Sequence, residues 1–298
     1  MISTLTLNNG MTIPQLGFGT LNVPPDREPT RANTLKTAEI VGLALEVGYR
    51  LIDTAQGYGN EQGVGEAIAA AGLPREDVFV TSKLGNGNHR PDDVRRSFDE
   101  TLQKLGLEQL DLFLIHWPLP TLYDGDYVST WKAITGLMTE GRLRGAGVSN
   151  FQPAHLDRII GETGVVPAVN QIEVHPDFAN AAAVAASKRH GIAVESWSPL
   201  TQGKALDDAV IARIAAAHGK SRAQVVLRWH LQHDYIIIPK SMHRERMQEN
   251  FALFDFQLSA EEISAMDALD TGDAGRIGPD PDTFRGVPPS RHPGGTQH

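Results

Sequence analysis

The sequence contains no cysteine, which excludes disulfide bonds, cysteine-ligated zinc, iron–sulfur clusters and thiol nucleophiles. It also has no long hydrophobic run, because no stretch approaches the roughly 18 consecutive apolar residues of a membrane span. Residues 1–20 have neither the basic start nor the continuous apolar segment of a signal peptide. We therefore expect a cytoplasmic protein that does not insert into a membrane.

Positive charge is scarce. Lysine and arginine together number 27, against 36 aspartates and glutamates, so the formal net charge is -9. The mean field of such a protein repels nucleic-acid backbones and anionic lipid, and nucleic acid is not an expected partner. With 298 residues and 41% hydrophobic side chains, the chain can bury a large core.

The chain pattern predicts strands and helices in strict alternation. Residues 1–14 predict a hairpin cap, because apolar residues alternate on both sides of Asn8-Asn9-Gly10. Beyond it, a short apolar run that ends in a polar residue is followed by a helical segment, and this unit occurs eight times. The eight runs are 16–19, 51–53, 78–83, 112–116, 145–149, 168–171, 192–197 and 236–240.

Eight such units are the number that closes a (β/α)8 TIM barrel. The competing fold is an open, doubly wound sheet, which would place a glycine-rich phosphate turn and a helix after its first strand. Here Gly17-Phe18-Gly19-Thr20 leads into Pro24-Pro25 instead. The sequence predicts one barrel domain over 1–298, with an irregular C-terminal tail over 271–298 that is rich in glycine, proline and aspartate.

Polar side chains stand at the carboxyl ends of seven of these runs: Asp53, Lys83, His116, Ser149, Gln171, Trp197 and Lys240. In a barrel those ends share one face, where active sites are built. A lysine and an aspartate in the same water-poor mouth must pair, because an isolated buried charge is too costly.

Tyr58 lies five residues beyond Asp53, close enough to reach the predicted Asp53–Lys83 pair. We expect the lysine to lower the pKa of Tyr58 from its reference value near 10, which would make the phenol a proton donor. A neutral His116 could orient a substrate oxygen. This set suits protonation of a developing alkoxide.

The chain resembles the aldo-keto reductases over nearly its whole length, and it looks most like the bacterial 2,5-diketo-gluconate reductase type. The stretches that carry the resemblance are Asp53-Thr54-Ala55 with Tyr58-Gly59-Asn60-Glu61, Thr81-Ser82-Lys83-Leu84, Leu114-Ile115-His116-Trp117-Pro118, Gly147-Val148-Ser149-Asn150-Phe151, Asn170-Gln171-Ile172-Glu173, Ser198-Pro199-Leu200 and Ile238-Pro239-Lys240-Ser241. The resemblance implies a barrel that reduces aldehydes or ketones with NADPH, with Tyr58 as acid, Asp53 and Lys83 supporting it and His116 orienting the carbonyl group. We also expect a monomer without a metal site.

The resemblance also implies residues for NADPH binding. They are Gly19, Thr20, Asp53, Ser149, Asn150, Gln171, Trp197, Ser198, Leu200, Lys240, Ser241, Arg246, Glu249 and Asn250. Among them, Ser149, Asn150 and Gln171 would bind the nicotinamide carboxamide, and Trp197 would stack on the ring. Lys240, Ser241 and Arg246 suit the 2′-phosphate at a helix start.

The implied substrate pocket contains Tyr58 and His116 together with Leu21, Gly85 and Trp117. Leu21 and Gly85 stand where many relatives carry aromatic side chains. We therefore expect a wider pocket that favours bulky carbonyl compounds. Residues 21–36 are longer than the usual connection in this family, with no role assigned by the sequence.

Two other functions remain open at this point. One is an NADPH-binding regulatory subunit with little turnover, which the intact set of four catalytic residues disfavours. The other is a barrel hydrolase with a metal at the rim. Of the scattered histidines only His116 ends a strand, while His230 and His233 fall in a predicted helix.

Overall fold

A computed structural model describes residues 2–286. Its N-terminal hairpin consists of β1 (Thr4–Thr6) and β2 (Thr12–Pro14), paired in register with Leu5 opposite Ile13. Leu7 and Ile13 pack into the apolar interior of the barrel beside Phe79. The hairpin therefore closes the amino end of the barrel, which we call the floor.

Eight parallel strands form the barrel. They are β3 (Phe18–Gly19), β4 (Leu51–Asp53), β5 (Phe79–Leu84), β6 (Leu110–Ile115), β7 (Leu143–Ser149), β8 (Val169–Glu173), β9 (Ala193–Trp197) and β10 (Ile236–Ile237). Each strand pairs with the next in chain order. The ring closes between its ends, where Gly17 N donates to Ile237 O at 2.8 Å and Ile237 N donates to Gln15 O at 2.8 Å. The predicted (β/α)8 barrel is confirmed.

Helices surround the strands. They are α1 (Arg31–Val47), α2 (Glu61–Ala70), α3 (Pro91–Leu105), α4 (Tyr127–Thr139), α5 (Pro153–Thr163), α6 (Ala181–Arg189), α7 (Ala209–His218), α8 (Arg222–Gln232), α9 (Arg244–Phe251) and α10 (Ala260–Asp267). In α3, the apolar residues at spacings of three and four are buried, and Pro91 and Gly106 mark its two ends.

Two elements differ from the sequence prediction. The last strand stops at Ile237, because Pro239 has no N–H to donate to a ladder. The segment 21–36 is only partly a loop: Thr30 caps α1 by accepting from Asn33 N, so residues 31–36 are already helical. The remaining loop reaches the site, since Arg27 O packs against Gly59.

The C-terminal tail is irregular, as predicted, with one short helical turn at Gly272–Gly275. It runs back across the carboxyl end of the barrel, which we call the mouth. Ile277 N and Gly278 N both donate to the carboxylate of Glu173, at 2.6 and 2.9 Å. The predicted tail extends to 298, and residues 287–298 lie outside the described part of the chain.

Candidate active site

Lys83 is the centre of the site. Its side chain is 0% exposed, and its ammonium group makes three contacts, one for each of its protons. Nζ donates to Asp53 Oδ1 at 2.6 Å, to Thr54 O at 3.0 Å and to Tyr58 Oη at 3.2 Å. Strands β4 and β5 are neighbours in the sheet, which is why the aspartate and the lysine meet.

His116 completes a group that we call the mouth cluster: Asp53, Tyr58, Lys83 and His116. The imidazole ring lies 5.7 Å from the Tyr58 ring, edge to face. Desolvation and the charge of Lys83 hold the pKa of His116 well below its usual value. The ring is therefore neutral at physiological pH and able to donate a hydrogen bond to a substrate oxygen without carrying charge.

The pKa of Tyr58 corrects the sequence expectation. Burial raises it, and the charge of Asp53 adds to that, whereas Lys83 acts in the opposite direction without outweighing them. Burial alone would lower the pKa of Lys83, but the charge of Asp53 and its hydrogen bond reverse that direction and raise it. Tyr58 thus keeps its proton at neutral pH, and the charged lysine is in place to stabilise the phenolate.

A set of polar side chains surrounds the mouth cluster. Gln171 Nε2 donates to Asp53 Oδ2 at 2.8 Å, so both carboxylate oxygens are occupied. Ser149 Oγ donates to Gln171 O at 2.7 Å, and Asn150 Nδ2 donates to Ser149 Oγ at 3.1 Å. Trp197 Nε1 donates to Asn150 Oδ1 at 2.9 Å, which joins the indole to the same network.

Two residues that follow strands at the mouth have positive φ. Asn150 follows β7 with φ at +64°, and Ser198 follows β9 with φ at +50°, in a region that non-glycine residues rarely adopt. Such conformations cluster at binding and catalytic sites. Leu200, two residues further on, is half-buried.

Gly19 and Thr20 serve the barrel itself. A side chain on Gly19 would place its Cβ 2.6 Å from Ile238 O, so only glycine allows the barrel to close there. The Thr20 hydroxyl and N–H both donate to Asp53 O, at 2.9 and 3.0 Å. These contacts fix the backbone that carries Asp53.

The start of α9 gathers the second group of expected cofactor residues. Lys240 and Arg246 are exposed, and neither forms an ion pair with the residues described here, whereas the neighbouring Arg244 pairs with Glu46. Ser241 is buried. On the same helix Glu249 is half-buried and Asn250 is buried.

The tail forms part of the mouth. Phe284 packs on Trp117 with ring centroids 4.3 Å apart, and Asn86 Nδ2 donates to Gly286 O at 2.7 Å. Gly278 lies so close to Trp197 that a Cβ there would be 2.5 Å from the indole ring. The tail therefore covers the edge of the indole and adds an aromatic ring beside Trp117.

The Gln56 side chain lies next to Gly85, where the sequence predicts a wider pocket. A Cβ at this position would lie 3.1 Å from Gln56 Oε1 and 3.4 Å from Asn88 Nδ2. Gln56 fills that space because it accepts from Gly85 N at 2.7 Å and donates to Ser97 O at 3.0 Å. Leu21 is 38% exposed, at the start of the loop that leads to α1.

Sequence reasoning missed several residues that shape the mouth. The charge of Arg27 opposes the rise that burial causes in the pKa of Tyr58 and adds to the fall that burial causes in the pKa of His116. Asn60 donates to Thr20 O at 2.8 Å and accepts from Thr54 Oγ1 at 2.7 Å, which ties three loops together. Asn60 had a sequence signal, since it follows Tyr58-Gly59, whereas nothing local placed Arg27 near Tyr58.

The histidines do not assemble elsewhere. Within residues 2–286, no group of three or more histidine, aspartate or glutamate side chains has a metal-binding arrangement. His230 is buried in α8 with its ring nitrogens near Val226 O and Val174 O, and His233 caps that helix and contacts Asp267. No helix in that part of the chain is long and apolar enough to cross a membrane.

Comparison with known proteins identifies the family. The model of the aldo/keto reductase family matches residues 15–271. The chain belongs to the aldo/keto reductase family. An aldo-keto reductase of Mycolicibacterium smegmatis is 47% identical over 284 residues, covering 95% of this chain and 98% of the relative. The methylglyoxal reductase DkgA of Salmonella typhimurium is 44% identical over 285 residues, covering 95% and 98%.

Among solved structures, a Gox0644 mutant in complex with NADPH matches with a TM-score of 0.88 and 42% identity. The match covers 96% of this chain and 99% of that chain. In this aldo/keto reductase, the barrel mouth brings together Asp53, Tyr58, Lys83 and His116, joined through Gln171 to Ser149, Asn150 and Trp197. Lys240 and Arg246, both exposed, lie near the start of α9.

Proposed function

We propose that the protein reduces aldehydes or ketones to alcohols with NADPH as the hydride donor. The observation that carries the proposal is the contact of Tyr58 Oη with a buried, charged Lys83 at 3.2 Å, beside a neutral His116. This is the arrangement needed to protonate an oxygen that gains negative charge. Membership of the aldo/keto reductase family and the NADPH complex of its structural neighbour support it.

The donor set at the mouth fits this cofactor. Trp197 offers a half-buried flat ring, and Ser149, Asn150 and Gln171 offer hydroxyl and amide groups suited to a carboxamide. Lys240 and Arg246 offer two exposed cations near the start of α9, suited to a phosphate monoester. When bound, NADPH would supply the hydride.

The residues of this chain would supply everything else. His116 donates a hydrogen bond to the carbonyl oxygen and fixes its position near Tyr58. Tyr58 transfers its hydroxyl proton to that oxygen, and Lys83 stabilises the phenolate left behind. Asp53, held by Gln171, keeps Lys83 charged, and solvent returns the proton to Tyr58. Leu21 and Trp117, with Phe284 of the tail, would contact the substrate.

The test is turnover of NADPH with a panel of aldehydes, α-keto esters, diketones and keto-sugars. Tyr58→Phe removes only the hydroxyl, and we expect it to lower kcat by roughly 10²-fold or more with NADPH affinity nearly unchanged. The matched control is Tyr49→Phe, the same change at a buried tyrosine whose hydroxyl donates to Met247 O at 3.0 Å. Its kcat should stay at the parent level.

A parent-like rate for Tyr58→Phe would refute the acid assignment. Absence of turnover with every carbonyl compound would instead favour the regulatory alternative. The monomeric state and the cytoplasmic location expected from the sequence stay predictions, which gel filtration and cell fractionation would test.

A further inference from the structure

The barrel interior holds a carboxyl group that the mechanism above does not use. Glu195 lies in β9 two residues before Trp197 and shares its inward face, while Val194, the residue before Glu195, packs against the outer helices. Glu195 is fully buried. Among residues 2–286, neither of its carboxyl oxygens has a hydrogen-bond partner.

The charged groups that face Glu195 come from two other strands. Asp53 of β4 and Lys83 of β5 both act on it electrostatically. The strands on either side of β9 contribute uncharged register partners, Gln171 of β8 and Ile236 of β10. The environment of Glu195 is therefore the Asp53–Lys83 pair plus neutral barrel wall.

The two carboxyl groups differ in their hydrogen bonds. Asp53 accepts from Lys83 and Gln171, so negative charge is stabilised on Asp53. Glu195, opposite Gln171 in the sheet, has no donor in hydrogen-bond geometry, and the Gln171 amide, which donates to Asp53, only partly favours its charged form. Burial and the negative charge of Asp53 together raise the pKa of Glu195 to about 8, with Lys83 and Gln171 opposing them. At neutral pH the proton thus stays on Glu195, and the three groups carry no net charge.

We propose that Glu195 is a positioning residue for the proposed reduction, whose ionisation weakens Tyr58 as a proton donor. The inference rests on the proposed function, because it takes Tyr58 as the acid. A second negative charge beside Lys83 opposes the charge that forms on the Tyr58 oxygen when it releases its proton. Glu195 itself gives no proton to substrate; one proton leaves Tyr58, and one returns to it from solvent.

The pH dependence of reduction tests this role. Glu195→Gln keeps the shape and cannot ionise, so at pH 7 its kcat should lie within about two-fold of the parent. Above pH 8 we expect the parent kcat to fall by up to about tenfold, the largest effect of a one-unit rise in the pKa of the acid. The variant should keep its rate over the same range.

The matched control is Glu61→Gln. Burial raises the pKa of Glu61 too, but its carboxylate accepts from Ser82 Oγ and Thr101 Oγ1, and the charged groups that act on it are Lys104 and Glu100. This variant should keep the parent alkaline fall in kcat. Identical pH profiles for the parent and Glu195→Gln would overturn the proposal.

A second measurement needs neither cofactor nor turnover. The pKa of Glu195 is about 8 in the folded protein against an ordinary 4.5, so between these values only the folded state holds the proton. Stability must then fall as pH rises, by up to tenfold in the unfolding constant per pH unit, and level off above about pH 8. Glu195→Gln should lack this contribution when unfolding is followed in denaturant.

The pH profile and the stability measurement together distinguish failure of the proposed function from failure of the inference about Glu195. If no carbonyl compound is reduced, the proposed function fails, while the stability difference still reports the proton on Glu195. Equal stability slopes would mean that Glu195 is already ionised, which overturns the inference. If Glu195→Gln does not fold, Glu195→Leu places a neutral apolar side chain in the same wall, and failure of both variants also overturns it.

Discussion

Two buried aspartates lie at opposite ends of the barrel, and their surroundings differ. Asp111, on β6 at the floor, accepts from Arg75 at 2.6 Å, from Arg144 at 2.5 Å and from Val80 N at 2.9 Å. We call Arg75, Asp111 and Arg144 the floor cluster. Both arginines reach solvent, with side chains 34% and 44% exposed. Asp53 at the mouth pairs instead with a lysine that water does not reach.

We infer that the floor cluster has a structural role, whereas the Asp53–Lys83 pair takes part in the reaction. The floor arginines remain partly hydrated, so their charges carry only a small desolvation penalty. Their role is to join neighbouring parts of the barrel wall. At the mouth, the buried charges have no water to screen them, and they shift the pKa values of Tyr58, His116 and Glu195. A groove of about 1200 Å³ opens beside the floor cluster, but Asp111 there already has all its partners.

Replacing the aspartate with asparagine should lower activity at the mouth and stability at the floor. Asp53→Asn leaves Lys83 buried without a counter-charge, so the lysine loses its proton more easily and no longer stabilises the Tyr58 phenolate. We expect kcat to fall by roughly 10²-fold or more. Asp111→Asn should keep kcat within about two-fold and lower the free energy of unfolding by about 1.5 to 3 kcal/mol.

Steady-state kinetics and denaturant unfolding on both variants measure this contrast. Equal losses of kcat would show that the floor and the mouth are coupled through the barrel. They would contradict the division of roles drawn here.

The arginines at the mouth and the floor should also differ in their effect on cofactor binding. Arg246 at the rim forms no ion pair with the described residues, whereas Arg144 shares Asp111. Each charge-assisted hydrogen bond contributes about 1.5 to 3 kcal/mol, so Arg246→Ala should weaken NADPH about 10- to 150-fold and NADH much less.

Arg144→Ala is the control, with lower stability and unchanged affinity for both cofactors. Fluorescence titration measures the dissociation constants of NADPH and NADH for both variants and for the parent. Equal weakening of NADPH and NADH by Arg246→Ala would show a general defect in place of phosphate recognition.

Local pattern predicted much of the fold, because each strand and helix has its own periodicity. It also predicted that Asp53 and Lys83 would meet, since the carboxyl ends of parallel strands share one face. It could not predict the sign of the pKa shift of Tyr58, which is the difference between burial and the charge of Lys83. Nor could it place the tail, because Glu173 and Gly278 are 105 residues apart.

Glu195 did have a local signal. In Ala193-Val194-Glu195-Ser196-Trp197, the glutamate and Trp197 are two residues apart and face the same side of the strand, which places an ionisable residue in the barrel interior. No local sequence signal predicted which side chain lies next to Gly85. That side chain, Gln56, is 29 residues earlier in the chain.

Position 85 offers the smallest expected effect on activity. The sequence alone predicts that Gly85→Trp would narrow or reverse a preference for bulky over small carbonyl compounds. With Gln56 next to it, a side chain at position 85 pushes against Gln56, whose hydrogen bonds reach Gly85 N, Ser97 O and Thr101 Oγ1. We expect the variant to lose about 1 to 3 kcal/mol of unfolding free energy and to change the kcat/KM ratio of a bulky and a small aldehyde by less than about two-fold.

The double variant Gln56→Ala with Gly85→Trp tests whether the tryptophan destabilises the protein through its steric conflict with Gln56. Removing the Gln56 side chain makes room for the indole, so the two substitutions together should cost less stability than the sum of the single ones. A Gly85→Trp protein of parent stability whose bulky-to-small ratio falls severalfold would contradict this account. It would mean that position 85 faces the substrate, since only an indole directed into the mouth could exclude a bulky aldehyde without disturbing Gln56.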